Sequence, residues 1–234
     1  ETGDKKIFET IEAAGKTEEV QELLAMKWGY PTKMQARKNA VIAWENIMLD
    51  TQDSALAQRG INELLKALGD WFFWKQMGTV YWEISNRAVD AFWRIVRRSF
   101  LTDMVFNSLR DCPGGRSRYG VIMVLERLRG HRGEIGERAQ KLLDDNEAML
   151  QELAEKASKV DFSNKEIRWS DRSYNVIRWH KIAMETTDQE LTEKAIIELV
   201  KACKMGEAIG EEAAKSLNIL VHARWGDIVK KHRS

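Results

Sequence analysis

The chain repeats one pattern of apolar and polar positions in five eight-residue segments. In each, a small or modest residue comes first, a bulky apolar residue fifth and an aliphatic residue eighth. The segments are AVIAWENI (40–47), AVDAFWRI (88–95), VIMVLERL (121–128), NVIRWHKI (175–182) and AAKSLNIL (213–220). These three places lie on one face of an α-helix, at i, i+4 and i+7. The pattern therefore predicts five amphipathic helices that bury the same three places.

Further helix signals fill the intervals between these segments. Apolar spacing and capping residues predict helices over about 17–28, 52–68, 117–129 and 134–159, and a last helix over about 209–231. The aromatic stretch at 71–84 is also predicted to be helical, and SNKE (163–166) has the form of a capping box that opens a helix. Only two prolines and 15 glycines occur in 234 residues. We therefore expect an all-α fold.

One stretch resembles a known class of helical repeat. KAIIELVKACKMGEAIGEEAAKSLNIL (194–220) resembles the armadillo/HEAT class of α-solenoid, whose repeats run about 40–47 residues. Its paired residues Ala213 and Ala214 would let the last helix approach a neighbour closely. The resemblance covers 17–231 and implies an irregular solenoid of about four to five repeats. Because the DCPGG loop and the long 134–159 helix depart from the family's spacing, an irregular helical bundle stays open as the alternative.

The resemblance also sets the domain prediction. We expect one helical-repeat domain over 4–231 and a basic tail at 232–234. Residues 1–3, Glu-Thr-Gly, resemble the scar of a mammalian secretion vector and are left out of the fold.

The armadillo resemblance implies a concave binding surface lined by the innermost helix of each repeat. In that family the seventh place of such a segment often carries an Asn, and the third place a Trp. Here Asn46 alone matches the Asn and no Trp matches, so the family's groove for basic peptides is not expected. Three other seventh places carry cations instead, namely Arg94, Arg127 and Lys181.

These cations predict a basic row along the surface. Arg97 and Arg98 extend it by one turn, Arg129 and Arg132 lie beyond another segment, and Lys215 occupies a third place. Rows of guanidinium groups suit carboxylates or phosphates. The predicted partner-binding residues are Asn46, Arg94, Arg97, Arg98, Arg127, Lys181 and Lys215. The alternative is that these are solvated faces with local carboxylate partners, such as Glu126 beside Arg127.

Charge and motifs narrow the functional classes. With 37 basic and 36 acidic side chains, the net charge of +1 argues against nucleic-acid binding by total charge. We expect a non-enzymatic adaptor, scaffold or chaperone-type module that binds an acidic protein segment. The alternative is an RNA-binding or matrix-type protein that uses the same basic row on phosphates, supported by the KKHRS tail. Membrane association through 71–84 is a third, weaker hypothesis.

Cofactors and metals are not expected, because the four histidines lack paired-ligand spacing and no nucleophile motif occurs. His180 is expected to be a structural histidine. Cys112 and Cys203 are expected to be free thiols, which favours a cytoplasmic location, whereas the Glu-Thr-Gly scar favours a lumenal or extracellular one. No run of 18 apolar residues predicts a transmembrane helix.

Overall fold

A computed structural model describes residues 34–70, 72–74, 79–81, 83–112, 116–164, 166–205, 207–222 and 225–233. These residues confirm the all-α fold, with ten helices among them. The helices are α1 (Met34–Asp50), α2 (Ser54–Leu68), α3 (Glu83–Ile95), α4 (Ser99–Arg110), α5 (Arg116–Arg129), α6 (Glu134–Ala157), α7 (Trp169–Glu185), α8 (Gln189–Cys203), α9 (Glu207–His222) and α10 (Gly226–Arg233). The helix predicted over 17–28 and the vector scar predicted at residues 1–3 both lie outside the described residues.

The helices divide between two compact units, and the boundary falls within α6. Unit 1 comprises the described part of Glu1–Phe72 together with Tyr81–Gln140, and unit 2 comprises Phe73–Val80 and Lys141–Ser234. In unit 1, α3 packs between α1 and α5, and α2 packs against all three of these helices. In unit 2, α7, α8 and α9 pack against one another, and α10 packs on α8 and α9. Helices that carry the repeated segment are therefore neighbours within each unit.

The predicted core places of all five segments are buried. None of the fifteen side chains at the first, fifth and eighth places is more than 9% exposed. They are Ala40, Trp44, Ile47, Ala88, Phe92, Ile95, Val121, Leu125, Leu128, Asn175, Trp179, Ile182, Ala213, Leu217 and Leu220. The pattern of apolar residues thus identified the inward face of each helix, because only that face removes apolar area from water.

Small residues set the closest contacts between helices. A Cβ atom at Gly120 would lie 2.6 Å from Leu68 Cβ and 2.7 Å from the Leu68 carbonyl oxygen. In unit 2, Ala213 is buried as expected, whereas Ala214 faces solvent. A Cβ atom at Gly210 would lie 2.9 Å from the Cys203 carbonyl oxygen. Gly210 and Ala213, rather than the paired alanines, therefore occupy the close approach.

The prediction of a helix over 71–84 is wrong for most of its described residues. Phe72–Trp74 (β1) and Thr79–Tyr81 (β2) are two three-residue strands that pair in one sheet, and α3 begins at Glu83. β-branched and aromatic residues favour strands where no helical packing face is available. The described residues 72–74 and 79–81 therefore do not form the aromatic helix on which the membrane hypothesis depends.

Two further boundaries differ from the sequence prediction. The SNKE stretch opens no helix: the Asn164 side chain accepts a hydrogen bond from the Glu166 amide, and α7 begins only at Trp169. Asn in this position closes a local turn that competes with a helix start. The last predicted helix is two helices, α9 and α10. The described part of the chain contains no helix long and apolar enough to cross a membrane.

Candidate functional site

Arg94 and Arg87 of α3 converge on one buried carboxylate of α1. Glu45 is 2% exposed, and its two oxygens accept from Arg94 Nη1 at 2.6 Å and from Arg87 Nη2 at 2.8 Å. A buried carboxylate is stable only when it is paired and hydrogen bonded. Arg94 is thus a structural link between two helices, and it shares the single negative charge of Glu45 with Arg87.

A second group of charged residues in unit 1, besides the one at Glu45, surrounds the ring of Trp93. The guanidinium carbon of Arg97 lies 3.7 Å from the centre of the Trp93 ring, and that of Arg127 lies 5.5 Å away. On α5, Arg127 also forms an ion pair with Asp90 of α3. The His131 ring lies 5.4 Å from the same indole. We call Trp93, Arg97, Arg127 and His131 the Trp93 cluster.

The turn between α5 and α6 has a shape that two glycines permit. Gly133 has a φ of +75°, in the left-handed region that side chains with a Cβ rarely adopt. At Gly136, a Cβ atom would lie 2.0 Å from the His131 carbonyl oxygen. This close approach fixes the turn that contains His131 and Arg132 against the first turn of α6.

Four arginines form no ion pair with any residue of the described chain: Arg97 of the Trp93 cluster, and Arg98, Arg129 and Arg132, which lie within two residues of cluster members in the sequence. Arg97 and Arg98 lie in the turn from α3 to α4, and the other two lie at the end of α5 and in the turn that follows it. The contact between the Trp93 and His131 rings brings together the chain segment that precedes Arg97 and Arg98 and the turn that contains Arg132. Unit 1 therefore carries a local excess of positive charge despite the near-neutral total.

The remaining predicted residues divide by unit. Asn46 on α1 is exposed, as the seventh place of the pattern predicts. In unit 2, the Lys181 side chain is 37% exposed and lies 4.0 Å from Glu185, while Lys215 on α9 is exposed. Within unit 1, α1, α3 and α5 bring Asn46, Arg94 and Arg127 onto adjacent helices. Three of the predicted cations, Arg94, Arg127 and Lys181, thus have carboxylate partners.

Sequence reasoning missed the apolar face of α7. Trp169, Tyr174 and Ile177 are 51%, 58% and 48% exposed, and Arg178 lies over the Tyr174 ring at 4.8 Å. The signal was present for Tyr174 and Ile177, because both fall opposite the buried places of the same helix. It was overlooked because Ile177, the third residue of the segment 175–182, was compared only with the Trp that the armadillo family often carries at this place.

In the described part of the chain, no three His, Cys, Asp or Glu residues are placed to hold a metal ion. His180 is mostly buried, and this desolvation lowers its pKa to about 4. Its Nδ1 atom has no hydrogen-bond partner among the described residues, so the expectation of a histidine satisfied by hydrogen bonds is wrong at this atom. Cys112 and Cys203 are both free thiols.

Comparison with known proteins found no family model, curated protein or solved structure that matches this chain. The helical packing is compatible with a helical repeat, and no relative identifies which repeat it is.

Proposed function

We propose that the protein is a non-enzymatic interaction module, of the adaptor or chaperone type, that binds an acidic segment of a protein partner on the basic surface of unit 1. The observation that carries the proposal is the set of four arginines, Arg97 of the Trp93 cluster with Arg98, Arg129 and Arg132, that form no ion pair with a described residue. Guanidinium groups that are not neutralised within the fold are open to bidentate contacts with carboxylates. The paired residues Arg94 and Arg127 support this surface by holding α1, α3 and α5 together.

We also propose that the helices form an armadillo/HEAT-like α-solenoid. Support comes from unit 1, where the segment-bearing helices α1, α3 and α5 lie in order and α2 packs across them. Support for the cytoplasmic location is limited to the two free thiols, which are typical of reducing compartments.

An acidic protein segment suits this surface better than single-stranded RNA. Sequence-tolerant RNA binding uses exposed aromatic faces on which bases stack. Here Arg97 already lies over the face of Trp93, and the basic tail is engaged, since Lys231 and His232 both contact Glu193. The exposed guanidinium edges remain, and they recognise anions without base stacking.

The first experiment compares an acidic peptide with an oligonucleotide of equal charge. Fluorescence anisotropy would measure the binding of a labelled Glu-rich peptide and of labelled oligouridine to the full chain, at several salt concentrations. We expect the peptide to bind more tightly at physiological salt. The charge reversal Arg97→Glu/Arg98→Glu should weaken peptide binding by roughly tenfold or more, because hydrogen bonds to charged groups contribute about 1.5–3 kcal/mol each.

A matched control is Arg59→Glu, because Arg59 is also exposed, forms no ion pair with a described residue and lies over a tryptophan, 5.8 Å from the Trp44 ring. It should bind the peptide as the wild type does, and circular dichroism would confirm that both variants are helical. Tighter binding of oligouridine, with a steep loss on adding salt, would establish the RNA hypothesis instead. Equal peptide binding by Arg97→Glu/Arg98→Glu and the wild type would refute the proposal.

A further inference from the structure

We propose that the arginines beside the Trp93 cluster recognise a phosphorylated side chain of the protein partner, rather than carboxylates alone. This inference rests on the proposed function and specifies the chemical group that the same surface binds.

Within the described part of the chain, these arginines carry positive charge that no acidic side chain compensates by an ion pair. Asp90 is engaged by Arg127, and Glu134 on α6 contacts Arg138 at 3.5 Å. Neither acid pairs with Arg97, Arg98, Arg129 or Arg132. A single carboxylate ligand would neutralise only one of these four cations. A phosphomonoester carries about −1.5 to −2 charge at neutral pH and therefore compensates more of this excess at one point.

The N–H donors of Arg97 are directed by the contact of its guanidinium with Trp93. Arg97 lies over the Trp93 ring at 3.7 Å, so the indole covers one face of the guanidinium and leaves its N–H edge for a ligand. The turn with Gly133 and Gly136 is close-packed along its backbone. His131 in this turn contacts the Trp93 ring, and Arg132 is the next residue in the sequence. Because Arg97 is already held against the indole, it loses little side-chain entropy when it binds a ligand.

The donors of these arginines match the acceptors of a phosphate. A phosphate offers three terminal oxygens, each of which accepts charge-assisted hydrogen bonds from more than one guanidinium. Donors that come from two separate turns can surround such a tetrahedral group. A carboxylate has two oxygens in one plane and a single negative charge, as in Glu45, which accepts from Arg87 and Arg94, whereas a phosphomonoester adds a third terminal oxygen and more charge. The first turn of α4, which follows Arg98, contains no acidic residue that would repel the phosphate.

The experiment uses three fluorescein-labelled peptides that share the same acidic flanks. The central pair of residues is phosphoserine-alanine, glutamate-glutamate or serine-alanine, so the first two peptides have nearly the same charge. Binding to the full chain would be measured by anisotropy in a phosphate-free buffer. We expect the phosphoserine peptide to bind roughly tenfold more tightly than the glutamate peptide, because of its additional charge-assisted hydrogen bonds.

Arg97→Ala/Arg132→Ala should remove this preference, whereas the matched variant Arg59→Ala should keep it. A second measurement, the indole N–H signal of Trp93 assigned with Trp93→Phe, should shift on adding O-phospho-L-serine and not on adding the same concentration of L-glutamate. Equal affinity for the phosphoserine and glutamate peptides would overturn the phosphate inference and leave the proposed function standing. A preference that survives Arg97→Ala/Arg132→Ala would overturn the assignment of this site. Binding of neither acidic peptide by the wild type would overturn both proposals.

Discussion

Arg94 shows how a residue chosen from a surface pattern can have a role inside the fold. Its place in the segment is exposed, as predicted, but its guanidinium reaches back to the buried carboxylate of Glu45. The sequence shows the spacing along one helix, and it cannot show which carboxylate a neighbouring helix brings within reach. For the same reason, the partner of Arg127 is Asp90 on α3 rather than the adjacent Glu126 considered from the sequence.

Arg94→Ala should therefore lower stability. Arg87 would remain on Glu45, and Arg94 itself is partly exposed, so we expect a loss of about 1–2 kcal/mol in the free energy of unfolding. Urea denaturation followed by circular dichroism would measure it. The matched variant is Arg110→Ala, whose partner Asp111 is solvent exposed, and it should leave the denaturation midpoint unchanged. Equal midpoints for Arg94→Ala and the wild type would show that Glu45 needs only one arginine.

His180 should make stability depend on pH. Burial lowers its pKa from the usual 6.5 to about 4, so the unfolded chain binds a proton more readily than the folded chain between these values. Stability is then complete above pH 6.5 and falls as the pH drops towards 4, by roughly 3 kcal/mol at most. His180→Gln should reduce this slope in urea titrations at several pH values. An unchanged slope would mean that other groups cause the pH dependence.

At the scale of the element, the success of the sequence prediction followed the strength of the local signal. The inward faces of the five segments were correct, because hydrophobic periodicity records burial directly. Helix starts were predicted less well: α8 begins after Asp188, whose side chain caps the Glu190 and Leu191 amides, whereas the predicted SNKE box opens no helix. The strands β1 and β2 were missed because their aromatic residues fit a helix or a strand equally well over such a short length.

The approach of α5 to α2 depends on Gly120. An alanine there would place its Cβ atom 2.6 Å from Leu68 Cβ and 2.7 Å from the Leu68 carbonyl oxygen, so the helices would have to separate. Gly120→Ala should cost about 1–3 kcal/mol in the free energy of unfolding, as overpacked cores do. The control is Gly130→Ala, where the nearest atom would be at 3.4 Å. Thermal denaturation would compare the two, and equal melting temperatures would contradict the close packing.

At the scale of the whole molecule, the helices that the sequence predicted as one domain belong to two compact units. Each unit has its own buried residues and its own cluster of neighbouring helices. The predicted site is divided in the same way, since Arg97, Arg98 and Arg127 belong to unit 1, and Lys181 and Lys215 to unit 2. The sequence could supply the candidate cations, but not the ion pairs that separate neutralised residues from available ones.

A cavity in one unit should affect that unit first. Leu199 is fully buried on α8, between its neighbours in unit 2, and Leu199→Ala should cost about 2–4 kcal/mol in the free energy of unfolding. Hydrogen exchange measured by mass spectrometry on the full chain should become faster over α7–α9, with α1–α3 little changed, because separate cores open separately. An equal increase in both units would show that they unfold as one.

The contact between Gly136 and the His131 carbonyl oxygen has a consequence for how this chain can change over time. Any larger residue at position 136 would have to push the His131 carbonyl oxygen away, because its Cβ atom would lie 2.0 Å from that oxygen. Arg132 is the next residue in this loop, so a substitution at position 136 should change where its guanidinium group lies. The position of this surface arginine thus depends on a glycine that carries no charge and makes no polar side-chain contact.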